Sequence, residues 1–286
     1  AIRNSGGALR HDITIADNEF TMNKSMEKQP VICIDDVSNC LVDSNYVFHN
    51  VRSRGMILSN CEYSSIRNNI MEKNGGTSID YYYASHCDII DNIVVDSCGV
   101  HANGITVYLF SDDVLIAGNI VLDGNIAFTC QESSNLVVAY NVFETDMGIY
   151  TVAVWNDCDG VEFYNNVIMN TGTPGSGISI GSTGNTNIVA KNNIIDGSNL
   201  QYRGYTTEYN IYTSLMWCQN ANNLSTGEFT STKSLLFTDA ANDDFTLKSN
   251  SPAIDAGVDV GFDVDIEGVA VPQGDAPDCG AYEYEQ

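Results

Sequence analysis

One short pattern recurs along this chain and limits its fold more than any other feature. Three to five residues of alternating polarity lead to an asparagine, which an aliphatic or aromatic residue follows. The pattern reads Ile13-Thr14-Ile15-Ala16-Asp17-Asn18-Glu19-Phe20 at its first occurrence and Leu115-Ile116-Ala117-Gly118-Asn119-Ile120 in mid-chain. The anchors are Asn18, Asn45, Asn69, Asn92, Asn119, Asn141, Asn166 and Asn193, at intervals of 27, 24, 23, 27, 22, 25 and 27 residues. Self-similarity at such a period marks a solenoid. The apolar residues alternate in short runs broken by Gly, Asn, Asp and Ser, which is the signature of strands rather than helices. A leucine-rich repeat has a similar length but needs a leucine consensus that is absent. A period of 22–27 residues fits three short strands and three turns, one coil of a parallel β-helix. Stacked coils set each anchor above the last at the strand spacing of roughly 4.8 Å. Each side-chain amide can then bond its neighbours up and down the stack. Such a ladder accounts for 31 asparagines among 286 residues, a residue that otherwise favours neither helix nor strand.

Composition narrows the partners. Acidic residues number 37 against 12 basic, a net charge of −25. That argues against nucleic acid and anionic membranes, which need basic footprints. The chain is 43% hydrophobic and 17% charged, which is a folded rather than a disordered composition. No apolar run approaches the ~18 residues of a membrane span, and no signal peptide opens the chain. Nine cysteines stand at 33, 40, 61, 87, 98, 130, 158, 218 and 279. None forms a CxxC pair and there are four histidines, so zinc is set aside. Cys40, Cys61, Cys87 and Cys158 precede anchor strands, which leaves two readings open: a buried stack of thiols, or disulfides in a secreted chain.

The anchors resemble the asparagine ladder of right-handed parallel β-helix proteins of the pectate-lyase-like superfamily. The tail also resembles the closing module of many secreted bacterial members, in Asp244-Phe245-Thr246-Leu247-Lys248-Ser249-Asn250-Ser251-Pro252-Ala253-Ile254-Asp255-Ala256-Gly257 and Asp278-Cys279-Gly280-Ala281-Tyr282-Glu283-Tyr284. Two departures stand out: Ser234-Leu235-Leu236-Phe237 replaces the usual Asp-Pro start, and Cys279 replaces Ile or Val. The resemblance implies an all-β solenoid with residues 1–200 as coils and 201–236 as a last irregular coil with loops. Residues 237–286 would then cap the C-terminal end. It further implies a secreted or cell-surface location, and a missing N-terminal cap, since Ile13 already starts a coil. The oligomeric state is open.

In this architecture one strand per coil faces the substrate groove. Here those strands include Ser78-Ile79-Asp80-Tyr81-Tyr82-Tyr83, Gly104-Ile105-Thr106-Val107-Tyr108-Leu109 and Ala127-Phe128-Thr129-Cys130-Gln131-Glu132. Alternation turns Ile79, Ile105, Val107 and Phe128 inward, and Asp80, Tyr82, Thr106, Tyr108, Thr129 and Gln131 outward into one exposed patch. The preceding turn brings His101 to its edge, and Arg52, Arg54 and Lys73 reach over from the other side. Trp155 is a core or groove residue. Tyrosine rings stack on sugar faces, and His or Tyr can move protons. The expected catalytic set is therefore His101, Tyr108, Tyr82 and Asp80, with Arg54, Lys73, Gln131 and Trp155 binding substrate. Asp35-Asp36 and Asp112-Asp113 are candidate Ca²⁺ ligands; no organic cofactor is implied. Asp263-Val264-Asp265 with Glu267 lacks EF-hand spacing. Asn23-Lys24-Ser25 and Asn223-Leu224-Ser225 are glycosylation sequons.

Family lyases abstract the C5 proton of a uronate with a Lys, Arg, His or Tyr base, and family hydrolases use two or three aspartates. Both residue sets are present, so the leading reading is a carbohydrate-active protein, lyase or glycoside hydrolase, with a polysaccharide partner. The alternative is a non-catalytic adhesin, sheath or glycan-binding solenoid.

Overall fold

The computed structural model describes residues 2–3, 10–22, 29–99, 101–172, 176–181, 183–197, 205–214 and 224–285. The sequons Asn23-Lys24-Ser25 and Asn223-Leu224-Ser225 begin outside those residues, and Cys218 lies outside them.

The chain winds into a parallel β-helix with three sheets. One coil shows the plan. Asn103–Tyr108 lies on the first sheet, Asp112–Ala117 on the second and Ile120–Leu122 on the third. The next coil starts at Ile126–Gln131, which pairs in parallel with Asn103–Tyr108, Ile105 opposite Phe128 and Tyr108 opposite Gln131. The third sheet runs through ten parallel strands, from Glu19–Thr21 to Phe229–Thr230. The first and second sheets join at a corner that the single strand Ile79–Ile90 rounds without a break.

The interior follows from alternation. Ile79, Ile105, Phe128, Val152 and Ile178 form one stacked column, in register coil upon coil and fully buried. Phe128 packs against Phe143 at 5.8 Å between ring centres and meets Phe163 edge-on at 6.4 Å, geometries that aromatic rings prefer.

The ladder occupies the corner between the second and third sheets. The backbone N–H of Asn119 and its side-chain Nδ2 both donate to Asn141 Oδ1 at 2.9 Å. Nδ2 donates in addition to the carbonyls of Ile89 and Ala117. The step from each anchor's Nδ2 to the next anchor's Oδ1 repeats from Asn18 to Asn193. The ladder then goes one rung further than the eight anchors. Asn193 donates to Asn210, and Asn210 donates to Glu228 Oε1 at 2.9 Å. Tyr212 OH also donates to Oε1, and the Ser225 N–H to Oε2. A ladder whose every amide donates forward must end on an acceptor, and a carboxylate offers nothing but acceptors. Asn210 follows Asn193 by 17 residues, a short step outside the 22–27 window.

The described cysteines are free thiols. Cys61 and Cys87 stand 3.8 Å apart at sulfur, and Cys130 and Cys158 3.9 Å, well beyond the ~2.05 Å of a disulfide. They stack as buried contacts between coils.

The tail packs on the side of the solenoid. Phe237, Phe245, Leu247, Ala253, Cys279 and Ala281 pack on Val142, Val167, Ile194 and Ile211, which are outer-face residues of the third sheet. Asn165 Nδ2 donates to the Asp278 carbonyl, and Asn192 Nδ2 to the Val258 carbonyl. Residues 237–285 therefore cover one flank of the last coils. Where the tail stops, Ile70 and Ile93 of the same outer column stand 44% and 38% exposed. Burying four β-branched residues beneath the tail removes a patch that would otherwise be apolar and open. Within the tail, Asp278 accepts from the Asp255 and Tyr284 N–H groups and Glu283 from the Asp278 N–H. Asp265 accepts from Glu267, Val269 and Glu283. These carboxylates hold turns together.

Candidate functional site

The outer face of the first sheet carries two side-chain columns. Ile57, Asp80, Thr106, Thr129 and Ala153 form one; Ser59, Tyr82, Tyr108 and Gln131 form the other. The first column is narrow at Thr106, Thr129 and Ala153, and the second is tall at the two tyrosines. The difference in height leaves a cavity of about 300 Å³. Asp80, Thr106 and Thr129 line it, with Arg54, Thr77, His101, Asn103, Tyr108, Gln131 and Trp155 around them.

Three of the outward residues are not exposed as alternation alone implies. Asp80 is 1% exposed, Thr106 5% and Thr129 0%. They face outward at the bottom of the cavity, beneath larger neighbours, and Thr129 Oγ1 donates to Thr106 Oγ1 at 2.9 Å. Strand alternation gives direction, not cover; the cover here comes from side chains on adjacent turns.

Arg54 reaches in from the turn before Met56–Glu62. Its Nη1 stands 3.5 Å from Asp80 Oδ2 and donates to Tyr82 OH at 2.7 Å. Tyr108 OH donates to the same oxygen at 3.0 Å, with the two rings 4.5 Å apart. Burial pushes the Asp80 carboxyl up to about 7, with Arg54 pulling the other way. Burial, with Asp80 next to it, drives the Tyr82 hydroxyl far above its usual range, so Tyr82 keeps its proton while its oxygen accepts from Arg54 and Tyr108. The guanidinium of Arg54 is half-covered, with its side chain 31% exposed. Two donated bonds leave other N–H groups of the fork for a ligand.

His101 lies in the turn before Asn103–Tyr108 with φ 57°. Its carbonyl accepts from Thr77 Oγ1 at 3.0 Å, which pins the backbone while the side chain stays exposed at the cavity mouth. On the opposite wall, Gln131 Nε2 donates to Glu132 Oε1 at 3.0 Å, and Trp155 is 36% exposed. Trp155 is thus a groove residue. Thr77 and Asn103 also line the cavity; Thr77 lies in the turn before Ile79–Ile90 and Asn103 opens its strand, where no period marks them in the sequence.

Other expected residues stand elsewhere. Lys73 follows the third-sheet strand Ile70–Glu72 and pairs with Glu72 at 2.7 Å and Asp96 at 3.5 Å, so it does not line the cavity. Asp36 accepts from Asn60 Nδ2. Asp112 accepts from Ser134 Oγ and Asn135 Nδ2, bonds that hold its carboxyl below the usual range. Asp113 bonds His86. Asp35 lies in Ile32–Ser38 in register with Ser59. Among the described residues no three His, Cys, Asp or Glu side chains gather closely enough to hold a metal ion.

Comparison with known proteins places the fold and then the family. A structure of XylC in complex with xylose is similar with a TM-score of 0.57 at 11% identity, over 87% of this chain. This chain spans only about half, 51%, of that one. The pectate lyase Pel9A is similar with a TM-score of 0.55 at 10% identity, over 95% of this chain and 87% of that one. At such identities these likenesses speak for the β-helix alone. No curated protein matches the sequence. The family described as "Periplasmic copper-binding protein (NosD)" matches residues 4–173, more than half of the chain and the whole stretch from Arg54 to Trp155, and the chain belongs to that family.

Proposed function

We propose that the cavity binds an acidic polysaccharide and cleaves it by β-elimination. The observation that carries this reading is the convergence of Arg54, His101 and Tyr108 on one cavity whose lining holds a single carboxylate, Asp80. Glycoside hydrolysis ordinarily needs two carboxylates flanking the bond, and the lining supplies one. Elimination needs a cation for the uronate carboxylate, a base for the C5 proton and an acid for the leaving oxygen. Arg54 presents its remaining N–H groups to the carboxylate. His101 takes the C5 proton; the electron pair forms the C4–C5 double bond as the C4–O bond breaks. Tyr108, already donating to Tyr82, is placed to protonate the departing oxygen. Asp80 holds Arg54 from beneath.

A second reading keeps the glycan and drops the cleavage. Among the described residues the His101 imidazole has no hydrogen-bond partner to orient it, whereas an activated base usually does. Incubation with pectate, alginate, glucuronan, xylan and a neutral glucan separates the two readings. Growth of the unsaturated-uronate absorbance supports elimination. Retention on a polymer without new double bonds or reducing ends supports binding alone, and neither effect on any polymer sinks both.

The family's description names copper. The described donors of this chain do not fit a copper site. Soft thiolates and imidazoles are what copper favours, yet the described cysteines other than Cys33 and Cys98 are buried. Burial also pushes the Cys40 thiol up to about 12. Among the described residues no three His, Cys, Asp or Glu side chains gather into a metal-holding group, and no step here runs through copper. The same description is periplasmic, and no helix among the described residues is long and apolar enough to cross a membrane. The proposed place of action is outside the cytoplasm, secreted, periplasmic or at the cell surface.

A further inference from the structure

The fold requires a left-handed residue at each corner between the first and second sheets, and most coils meet that need with residues that adopt it readily. On one corner column these are Asn39, Asp113, Asn135, Gly160 and Asn187, all with φ between 51° and 68°. On the neighbouring column Asp36 and Asn60 do the same with φ 55° and 49°. Bulky residues are strained there. Three consecutive coils nevertheless carry aromatic rings at these positions: Tyr63 (φ 50°) and His86 (φ 50°) on the first column, Tyr83 (φ 51°) and Phe110 (φ 62°) on the second.

These rings do not repay the strain by filling a core. Tyr63 is 61% exposed, Tyr83 48% and Phe110 71%. A tyrosine at the ladder corner shows the contrast: Tyr140, with φ 52°, is 4% exposed and packs against Phe262. The exposed rings meet one another instead. Tyr63 stacks on His86 at 5.0 Å and 14° between planes, and Tyr83 lies near Phe110 at 6.2 Å and 29°. Strain held where it does not help packing points to function, and exposed aromatic rings grouped on two neighbouring corner columns suit a binding surface.

The patch continues the cavity. Tyr83 directly follows Tyr82, and Phe110 stands two residues after Tyr108, on the side away from His101. We propose that Tyr63, Tyr83 and Phe110 form a stacking platform for sugar rings of a glycan chain that runs out of the cavity over the corner of the solenoid. This rests on the glycan reading above and names where the chain goes. A pyranose presents C–H groups on one face and hydroxyls at its edge; flat exposed rings with carboxylate neighbours such as Asp113 and Glu132 suit both.

The test replaces the three rings with the residue that the fold itself uses at these corners. The triple variant Tyr63→Asn, Tyr83→Asn, Phe110→Asn is compared with the wild type by affinity electrophoresis in gels holding polygalacturonate, alginate, glucuronan or xylan, and by thermal melting. The expected result is retention weakened tenfold or more on the polymer that holds the wild type, with a melting temperature equal or higher. Undiminished retention overturns the platform and leaves the cavity reading standing. A lowered melting temperature shows that the rings serve packing and overturns the platform too. A wild type that sediments as a dimer and a variant that sediments as a monomer assign the patch to self-association. Failure of the wild type to bind any of the four polymers removes the glycan reading and the platform together.

Discussion

At the scale of single residues, the cavity joins groups with opposed demands. Elimination by His101 and Tyr108 predicts that His101→Ala and Tyr108→Phe each lower turnover by about 10²-fold, the usual scale of acid–base removal. Melting temperature should hardly move, because His101 is exposed and Tyr108 loses one hydroxyl contact. Full turnover in both variants on a polymer that the wild type cleaves would assign the chemistry to other residues. Asp80 carries a second prediction. Its carboxyl titrates near 7 in the fold against the ordinary value near 3.8. A raised acid binds a proton more readily folded than unfolded, so its contribution to stability is complete below pH 4 and is lost as pH rises through 7. Asp80→Asn should therefore gain on the wild type by roughly 2–3 kcal/mol between pH 5 and pH 8, read from urea midpoints. Glu283, also held near 7 by burial, keeps part of the slope in the variant. Parallel pH profiles for the two proteins would refute the shift. The direction of Asp80, Tyr82, Thr106 and Tyr108 was legible from alternation along their strands, because period two is a property of the backbone. The reach of Arg54 over Asp80 was legible too, but the depth to which Asp80, Thr106 and Thr129 are buried was not, since it depends on the sizes of side chains packed from adjacent turns.

At the scale of elements, the ladder is the unit that holds one coil to the next. Asn119 is fully buried and supports both Asn92 below and Asn141 above. Asn119→Ala leaves the Asn92 amide and backbone donors without their acceptor and should cost about 1–3 kcal/mol. An unfolding midpoint equal to that of the wild type would count against the ladder's role. Glu228 offers a sharper comparison. Glu228→Gln keeps the size but substitutes a donor for one acceptor oxygen where Asn210, Tyr212 and Ser225 all donate. It should destabilise as much as a ladder truncation, whereas a change at an ordinary surface glutamate costs almost nothing. The eight anchors were legible in sequence because each repeats one local environment. Asn210 and Glu228 were not: the last coil is shortened, and an end is chemically unlike the repeat it terminates. The surface on which the tail packs was illegible for a related reason. Phe237, Phe245 and Leu247 read as a packing unit, but only the outer-face residues Val142, Val167, Ile194 and Ile211 say what that unit packs on.

At the scale of the whole molecule, the net charge of −25 sets the terms on which an acidic polymer can approach. Repulsion between the protein and a polyuronate acts over the range of the Debye length, about 10 Å at 0.1 M salt and about 30 Å at 0.01 M. The proposed contact with Arg54 lies inside the cavity, where the guanidinium is partly covered and salt screens less. Added salt therefore weakens the long-range repulsion more than it weakens the short-range attraction. The KM for polygalacturonate should fall as sodium chloride rises from about 0.02 to 0.2 M, while binding of a neutral glucan or xylan should stay flat. Millimolar calcium should act in the same direction at lower concentration, because a divalent ion neutralises uronate carboxylates directly. If calcium works only on the polymer, it will lower KM without raising the melting temperature of the protein. A melting temperature that climbs with calcium would instead reveal a cation bound by the fold, and would return Asp35-Asp36 and Asp112-Asp113 to consideration as its ligands. A KM that rises with salt would mean that local attraction at Arg54, and not the charge of the whole solenoid, governs the encounter.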